Sequence, residues 1–206
     1  MPKVIVYIDG FNVYFGLKDN GWSRYYWLDY PSLAQRLSHE LKEENTELIA
    51  TKYFTSRISA PEDKRKRQTV YLEALASRGN IQFYYGNYRE SLYECSGCHR
   101  PNYVPNEKQT DVNIATQMLI DGFQDNFDTA ILIGGDSDLV PPVKVIREQL
   151  RKRVICAFPP KRISKELTKA CNGTFHLGEI DLRHNQLPDK ITKPDGFVLE
   201  RPTSWK

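Results

Sequence analysis

Two carboxylates one residue apart, Asp136 and Asp138, follow a glycine pair in the stretch from Asp128 to Val140, DTAILIGGDSDLV. A third, Asp9, opens Asp9-Gly10-Phe11-Asn12 near the N-terminus, and a fourth, Asp111, follows Thr110 ahead of a helical pattern. Gathered at one place, such acids suit a hard divalent cation. Mg²⁺ and Mn²⁺ prefer carboxylate and water oxygens, keep several waters and take phosphate oxygens in their remaining positions. A centre of that kind polarises a phosphodiester, activates a water and stabilises the leaving oxygen, so hydrolysis of a nucleic-acid backbone is the chemistry these residues could do. Each acid alone also has an ordinary role. Asp9 and Asp136 suit helix N-caps, and Asp111 stands in a first helical turn, where the helix dipole favours a carboxylate. Repulsion separates the two readings: like charges about 4 Å apart repel by roughly 4 kcal/mol at an effective dielectric of 20. Four clustered acids therefore call for compensation, and a divalent cation is the simplest.

The elements that must position them read as alternating strands and helices. Val4 to Ile8 and Thr129 to Ile133 are short apolar, β-branched-rich runs of the kind buried on both faces of a sheet, and each ends in a glycine and an acid. Phe11, Tyr14, Phe15 and Leu17 follow the first at helical spacing, which turns Asn12 back toward Asp9. Further helices are expected over Pro31 to Glu44, Pro61 to Arg78, Lys108 to Phe123 with Thr110 as N-cap, Pro141 to Arg151 and Ser164 to Ala170. Further strands are expected over Thr46 to Ser56, Asn80 to Tyr88, Val154 to Phe158 and Thr174 to Leu177. This alternation predicts an α/β fold with a central, mainly parallel sheet and helices on both faces. If the strands ending at Ile8 and Ile133 are neighbours at the switch point, Asp9, Asp136 and Asp138 meet beyond their carboxyl ends, with Asp111 nearby.

The 206 residues, 40% hydrophobic and 27% charged, suit one well-packed domain of ordinary globular composition. A formal charge of +3 permits nucleic acid as a partner without arguing for it. No apolar run approaches a membrane span of roughly 18 residues, and the first residues read as a strand rather than a signal sequence, so no membrane is expected and the location is read as cytoplasmic. The run Lys64-Arg65-Lys66-Arg67 opens a helix; it reads either as a solvated face offset by Glu62 and Asp63 or, if it borders the acidic edge, as a hold for a phosphate backbone. Trp22, Tyr25, Tyr26 and Trp27 form a loop that packs on the body or offers stacking surfaces to bases. Cys95-Ser-Gly-Cys98-His99 sits in a polar loop at about 90–109. Its match to the c-type haem attachment pattern is set aside because the sequence reads as lacking an export signal; it offers an incomplete ligand set for Zn²⁺ and equally suits a thiol or disulfide pair that pins the loop. The body is read as 1–180, with 181–206 as an extended C-terminal tail that wraps the domain or stays mobile.

Taken together, Asp9-Gly-Phe-Asn12, Thr110-Asp111-Val-Asn-Ile-Ala and Gly134-Gly-Asp136-Ser-Asp138-Leu139 resemble the three blocks of the NYN domain, in the bacterial LabA-like (DUF88) branch of the PIN-like nucleases. The resemblance runs from about Val4 to Phe175. It implies a PIN-like three-layer α/β/α sandwich and a metal-dependent ribonuclease acting on single-stranded or structured RNA. By motif, Asp9, Asp111, Asp136 and Asp138 would bind Mg²⁺ or Mn²⁺. Asn12 would orient the substrate phosphate or a metal-bound water, Ser137 would support the site, and Lys108 would approach a phosphate; Lys64 and Arg65 join the substrate-binding set if their face borders the edge. The CxxC loop is similar to an insertion of that branch, with Cys95 and Cys98 as candidate zinc ligands. PIN-like domains often pair, so a homodimer is one expectation. A rival reading keeps the fold as a non-catalytic RNA-binding or regulatory module. Another, a phosphatase with Asp9 as nucleophile, lacks the acid usually found two residues on, where Phe11 stands.

Overall fold

A computed structural model describes residues 1–41, 45–94, 97 and 101–206, and for 88–94 and 101–108 the backbone alone. The chain begins with strand β1 (Lys3–Asp9), whose side chains alternate between two hydrophobic layers. Val4, Val6 and Ile8 point to one face, and Ile5 and Tyr7 to the other. Because every residue from Val4 to Asp9 is buried, β1 must be covered on both sides, as the unbroken apolar run predicts.

Helix α1 (Gly10–Asp19), α2 (Tyr30–His39), strand β2 (Glu47–Thr55), α3 (Glu62–Ser77) and β3 (Ile81–Tyr85) follow. Val13 and Leu17 of α1, Leu33 and Leu37 of α2, and Tyr71 and Leu75 of α3 pack with Val4, Val6 and Ile8. After a hairpin of β4 (Asn87–Glu94) and β5 (Pro101–Lys108) come α4 (Thr110–Phe123), β6 (Thr129–Ile133), α5 (Val140–Lys144), β7 (Arg153–Phe158), α6 (Lys165–Ala170) and β8 (Gly173–His176). Ile114 and Met118 of α4, Val143 of α5 and Leu167 of α6 cover the opposite face. Three layers result, helices over a six-stranded parallel sheet over helices, with strand order β3-β2-β1-β6-β7-β8.

That order fixes the site. The chain builds outward from β1 to β3, returns to place β6 on the other side of β1, and builds outward again to β8. The reversal leaves a crevice at the carboxyl ends of β1 and β6, which run in register with Ile8 opposite Ile133.

Four expectations are corrected. The stretch at 90–109 is an antiparallel hairpin rather than a loop, with Asn87 opposite Lys108 and Glu94 opposite Pro101. Its ladder is made by backbone groups, which leave no hydropathy signal. Lys108 therefore ends a strand instead of opening a helix. The cap of α4 is Gln109, held at φ 79° where the chain turns out of β5; Thr110 is already helical. The helix expected from Pro141 to Arg151 stops being regular at Lys144 and continues as a wide π turn over Val145–Gln149.

Beyond β8 the chain does not simply extend. Helix α7 (Glu179–His184) and a hairpin of β9 (Lys190–Thr192) and β10 (Val198–Glu200) precede a final turn at Thr203–Trp205. Leu182, Leu187 and Leu199 join the first layer's core, and Trp205 packs on Tyr26, Trp27 and Tyr71. Among the described residues no helix is long and apolar enough to cross a membrane.

Candidate active site

Asp9 is both the last residue of β1 and the N-cap of α1, and one carboxylate oxygen accepts the Asn12 amide hydrogen at 2.9 Å. It is only 4% exposed. Burial pushes its carboxyl up to about 7; the Asn12 hydrogen bond opposes that rise, while the charges of Asp111 and Asp136 add to it.

The β6 end is built to meet it. A Cβ on Gly134 would stand 3.3 Å from the Asp9 Cβ, so the two strand ends touch there. Gly135 has still less room, since a Cβ would fall 1.7 Å from the Arg162 carbonyl oxygen, a position that only glycine can occupy. The Gly135 N–H then donates to Asn12 Oδ1 at 2.9 Å. Asn12 thus ties the start of α1 to the turn after β6, with its amide NH₂ left to donate elsewhere. Asp136 caps a 3-10 turn over Ser137–Leu139, accepting the Asp138 N–H at 2.9 Å. Ser137 and Asp138 themselves are exposed.

Asp111 reaches the same edge from the other direction, in the first turn of α4, which packs on that 3-10 turn. It is half-buried; burial raises its carboxyl, and Asp136 and Asp138 raise it further. Among the described residues, the charges that shift Asp9 and Asp111 are all negative. The topology therefore brings Asp9 within electrostatic reach of Asp111 and Asp136, and Asp111 within reach of Asp136 and Asp138. They are not drawn into a closed ligand cage: among the described residues no three His, Cys, Asp or Glu side chains converge tightly enough to hold an ion unaided. An open oxygen set still fits Mg²⁺, which is commonly held by one or two carboxylates with water and substrate phosphate completing its shell.

The other candidates divide. Lys64 and Arg65 are exposed at the start of α3, with Arg65 4.0 Å from Glu62. Lys108 lies on β5, where only its backbone is described. Cys95 and Cys98 lie outside the described residues. Two tyrosines that the sequence reading passed over lie beneath Asp9. The Tyr30 and Tyr53 rings pack at a tilt with centroids 4.9 Å apart, burial raises both hydroxyls with Asp9 adding to the rise, and a Cβ on Gly10 would meet the Tyr53 hydroxyl at 2.5 Å. Nothing in the helix pattern around Tyr30 or the strand pattern around Tyr53 marks either tyrosine as a neighbour of Asp9.

Comparison with known proteins follows the same lines. The NYN domain family model matches residues 3–179. The chain is 26% identical, over 97% of its own length and 74% of the relative's, to the 6-hydroxy-3-succinoylpyridine 3-monooxygenase HspA of Pseudomonas putida (strain DSM 28022 / S16). Among solved structures it is similar to VPA0982 of Vibrio parahaemolyticus RIMD 2210633, a protein of unknown function. That likeness, of the fold alone, has a TM-score of 0.55 and 16% identity and covers 86% of this chain and 94% of the other.

Proposed function

The chain belongs to the NYN domain family, a group with a nuclease-like fold, and from that premise we propose that it hydrolyses RNA phosphodiester bonds with the help of Mg²⁺ or Mn²⁺. The observation that carries the reading is the edge itself: Asp111 and Asp136 add to the raised proton affinity of Asp9, Asp136 and Asp138 add to that of Asp111, and among the described residues no cation figures among the charges acting on either. Bound among these four acids, the ion would supply Lewis-acid polarisation of the phosphodiester and a more acidic water.

The chain's own residues do the rest. Asp9, held by the Asn12 amide, has its carboxylate fixed where β1 ends, so little reorganisation is needed when a phosphate arrives. Asn12 is anchored through its oxygen to Gly135, which directs its NH₂ as a donor for a phosphate oxygen. Asp138 is exposed and can take a proton from an attacking water. Lys64, at the exposed start of α3, offers a positive charge to the backbone that continues past the cut.

The test is cleavage of labelled RNAs and single-stranded DNAs with Mn²⁺, Mg²⁺ or EDTA, beside Asp136→Asn. Metal-dependent cutting of RNA that the variant loses by at least about a hundredfold is expected; cutting that survives the substitution in a clean preparation would overturn the assignment. RNA bound but never cut would favour the non-catalytic binding module. A second reading, oxygenation of a small substituted pyridine, is favoured by the 26% identity to HspA, and is tested by incubating the protein in air with 6-hydroxy-3-succinoylpyridine and a reduced nicotinamide as two-electron donor, one oxygen atom going to the substrate and the other to water, and following loss of the pyridine.

A further inference from the structure

Beside the acidic edge, on the α1 side, lies a cavity of about 430 Å³, within the roughly 300–1,000 Å³ typical of small-molecule sites. We infer that this cavity is a base pocket: it holds one unstacked nucleobase of the bound strand against aromatic walls while Lys64 and Arg67 hold the adjoining phosphate. The inference rests on the nuclease reading for its link to catalysis but can be tested apart from it.

Three observations carry it. The first is the wall chemistry. Phe11, Tyr14 and Phe15 of α1, Tyr26 of the following loop and Trp205 of the final turn all line the cavity. They brace one another, with Tyr14 and Tyr26 4.9 Å apart and Tyr26 and Trp205 5.6 Å apart, so the walls are preformed. A base stacks on such surfaces whatever its identity, because every base has a π-face.

The second is charge. The charged residues lining the cavity are Lys18, Lys64 and Arg67, all cationic. Helical spacing divides the basic run of α3: Lys64 and Arg67, three apart, face the cavity, whereas Arg65 and Lys66 do not line it and lie 4.0 and 2.8 Å from Glu62. Arg67 is also held by Asp63 at 2.9 Å, while Lys64 has no ion-pair partner among the described residues. An aromatic cleft with a cationic rim and no acid in its lining matches a planar ring carrying an anionic group, and a nucleotide is that combination.

The third is position. Gly10, which follows Asp9 directly, lines the cavity, as do Tyr30 and Tyr53, the two tyrosines beneath Asp9. Helix α1 thus separates the acids at its N-terminus from the aromatic wall along its side by a single turn. A strand with one base in the cavity would present its neighbouring phosphate to Asp9.

Calorimetric titration in EDTA with uridine and adenosine 5′-monophosphates, uridine, ribose 5-phosphate and nicotinate tests this. Both nucleotides are expected to bind more tightly than either uridine or ribose 5-phosphate. Tyr14→Ala should weaken nucleotide binding roughly tenfold or more. Lys64→Ala, at an exposed position that folding does not depend on, should remove most of the advantage of the nucleotide over the nucleoside. No saturable nucleotide binding at millimolar concentration, binding indifferent to both variants, or a preference for nicotinate over nucleotides would each overturn the pocket. A mononucleotide has no internucleotide bond to cut, so a protein that binds it but cleaves no RNA would sink the nuclease reading and leave the pocket standing. A protein that cleaves RNA without binding nucleotides here would do the reverse.

Discussion

Helix α4 carries an acid near each end, and the fold treats the two in opposite ways. Asp121, near its C-terminus, is buried, and burial alone would raise its carboxyl; hydrogen bonds from Lys52, Tyr7 and Asn126 outweigh that and hold it below the ordinary range. The Lys52 ammonium lies at 2.6 Å and the Tyr7 hydroxyl at 2.7 Å. Asp111, in the first turn, is raised by burial and, among the described residues, by the negative charges of Asp136 and Asp138, and Asp9 is raised as well. The same protein that surrounds one buried carboxylate with hydrogen-bond donors leaves Asp9 and Asp111 raised by neighbouring acids at the carboxyl edge of its sheet. A structural acid is satisfied by its own chain. An acid whose partner comes from outside is not, and that contrast separates the two regions more sharply than burial does.

The largest effect that could break this contrast is on activity. Asp136→Asn should cost at least about a hundredfold in RNA cleavage while leaving the unfolding midpoint nearly unchanged, because its side chain is not part of either core. The largest effect on stability should come from the other region. Asp121→Ala strands the buried Lys52 ammonium and should cost about 3–5 kcal/mol in urea unfolding. If instead it proved neutral, the pair would not be the satisfied structural site described above.

Asp9→Asn should have the opposite sign. The folded carboxyl titrates at about 7 against an ordinary 3.8. Between those values the folded protein keeps a proton that the unfolded chain has released, so this group lowers stability progressively as pH rises through the window, and fully above it. At pH 8 and in EDTA the amide variant, still able to cap α1 through its oxygen, should unfold at a higher urea concentration than the parent, by about 1–3 kcal/mol, and the gain should vanish near pH 4. Asp121 contributes in reverse, since its lowered carboxyl supports the fold above the ordinary range and loses that support in acid.

Added Mn²⁺ should raise the thermal midpoint of the parent at pH 8 and do so less in Asp136→Asn, by an amount that follows the saturation of the site and reaches about 2.7 kcal/mol at a hundredfold excess over Kd. An equal rise in both proteins would place the ion elsewhere. The smallest effect concerns the basic run: Arg65→Ala should weaken RNA binding less than Lys64→Ala, with no measurable change in stability for either, since both residues are exposed.

How much of this is legible in the residue order varies by element. The run Val4 to Ile8 is hydrophobic at every position, and only a strand covered on both faces disposes of it; the same holds for Ala130 to Ile133. Their endings in glycine and acid point to the switch-point crevice, and the register of β1 with β6 puts Asp9 beside Gly134 there. The β4–β5 hairpin leaves no such trace, because its pairing is made by backbone groups that every residue carries. The segment after Asp181, rich in proline and charge, reads as extended until its few leucines find the core.

What the sequence by itself determined is the period of the core strands and of the helices that cover them, and the position of Asp9 and Asp136 relative to a strand end, since those depend on neighbours within a few residues. Only the tertiary structure decided which acids meet a cation and which, among the described residues, meet other acids. Asp111 and Asp121 are both ordinary helix aspartates ten positions apart, and what distinguishes them is Lys52 and Tyr7 near one, and Asp136 and Asp138 near the other. It also decided the cavity, which joins Phe11 to Trp205 across nearly the whole chain. Local periodicity carries no record of such distant meetings, because charge and surface act through space while the pattern is written along the backbone.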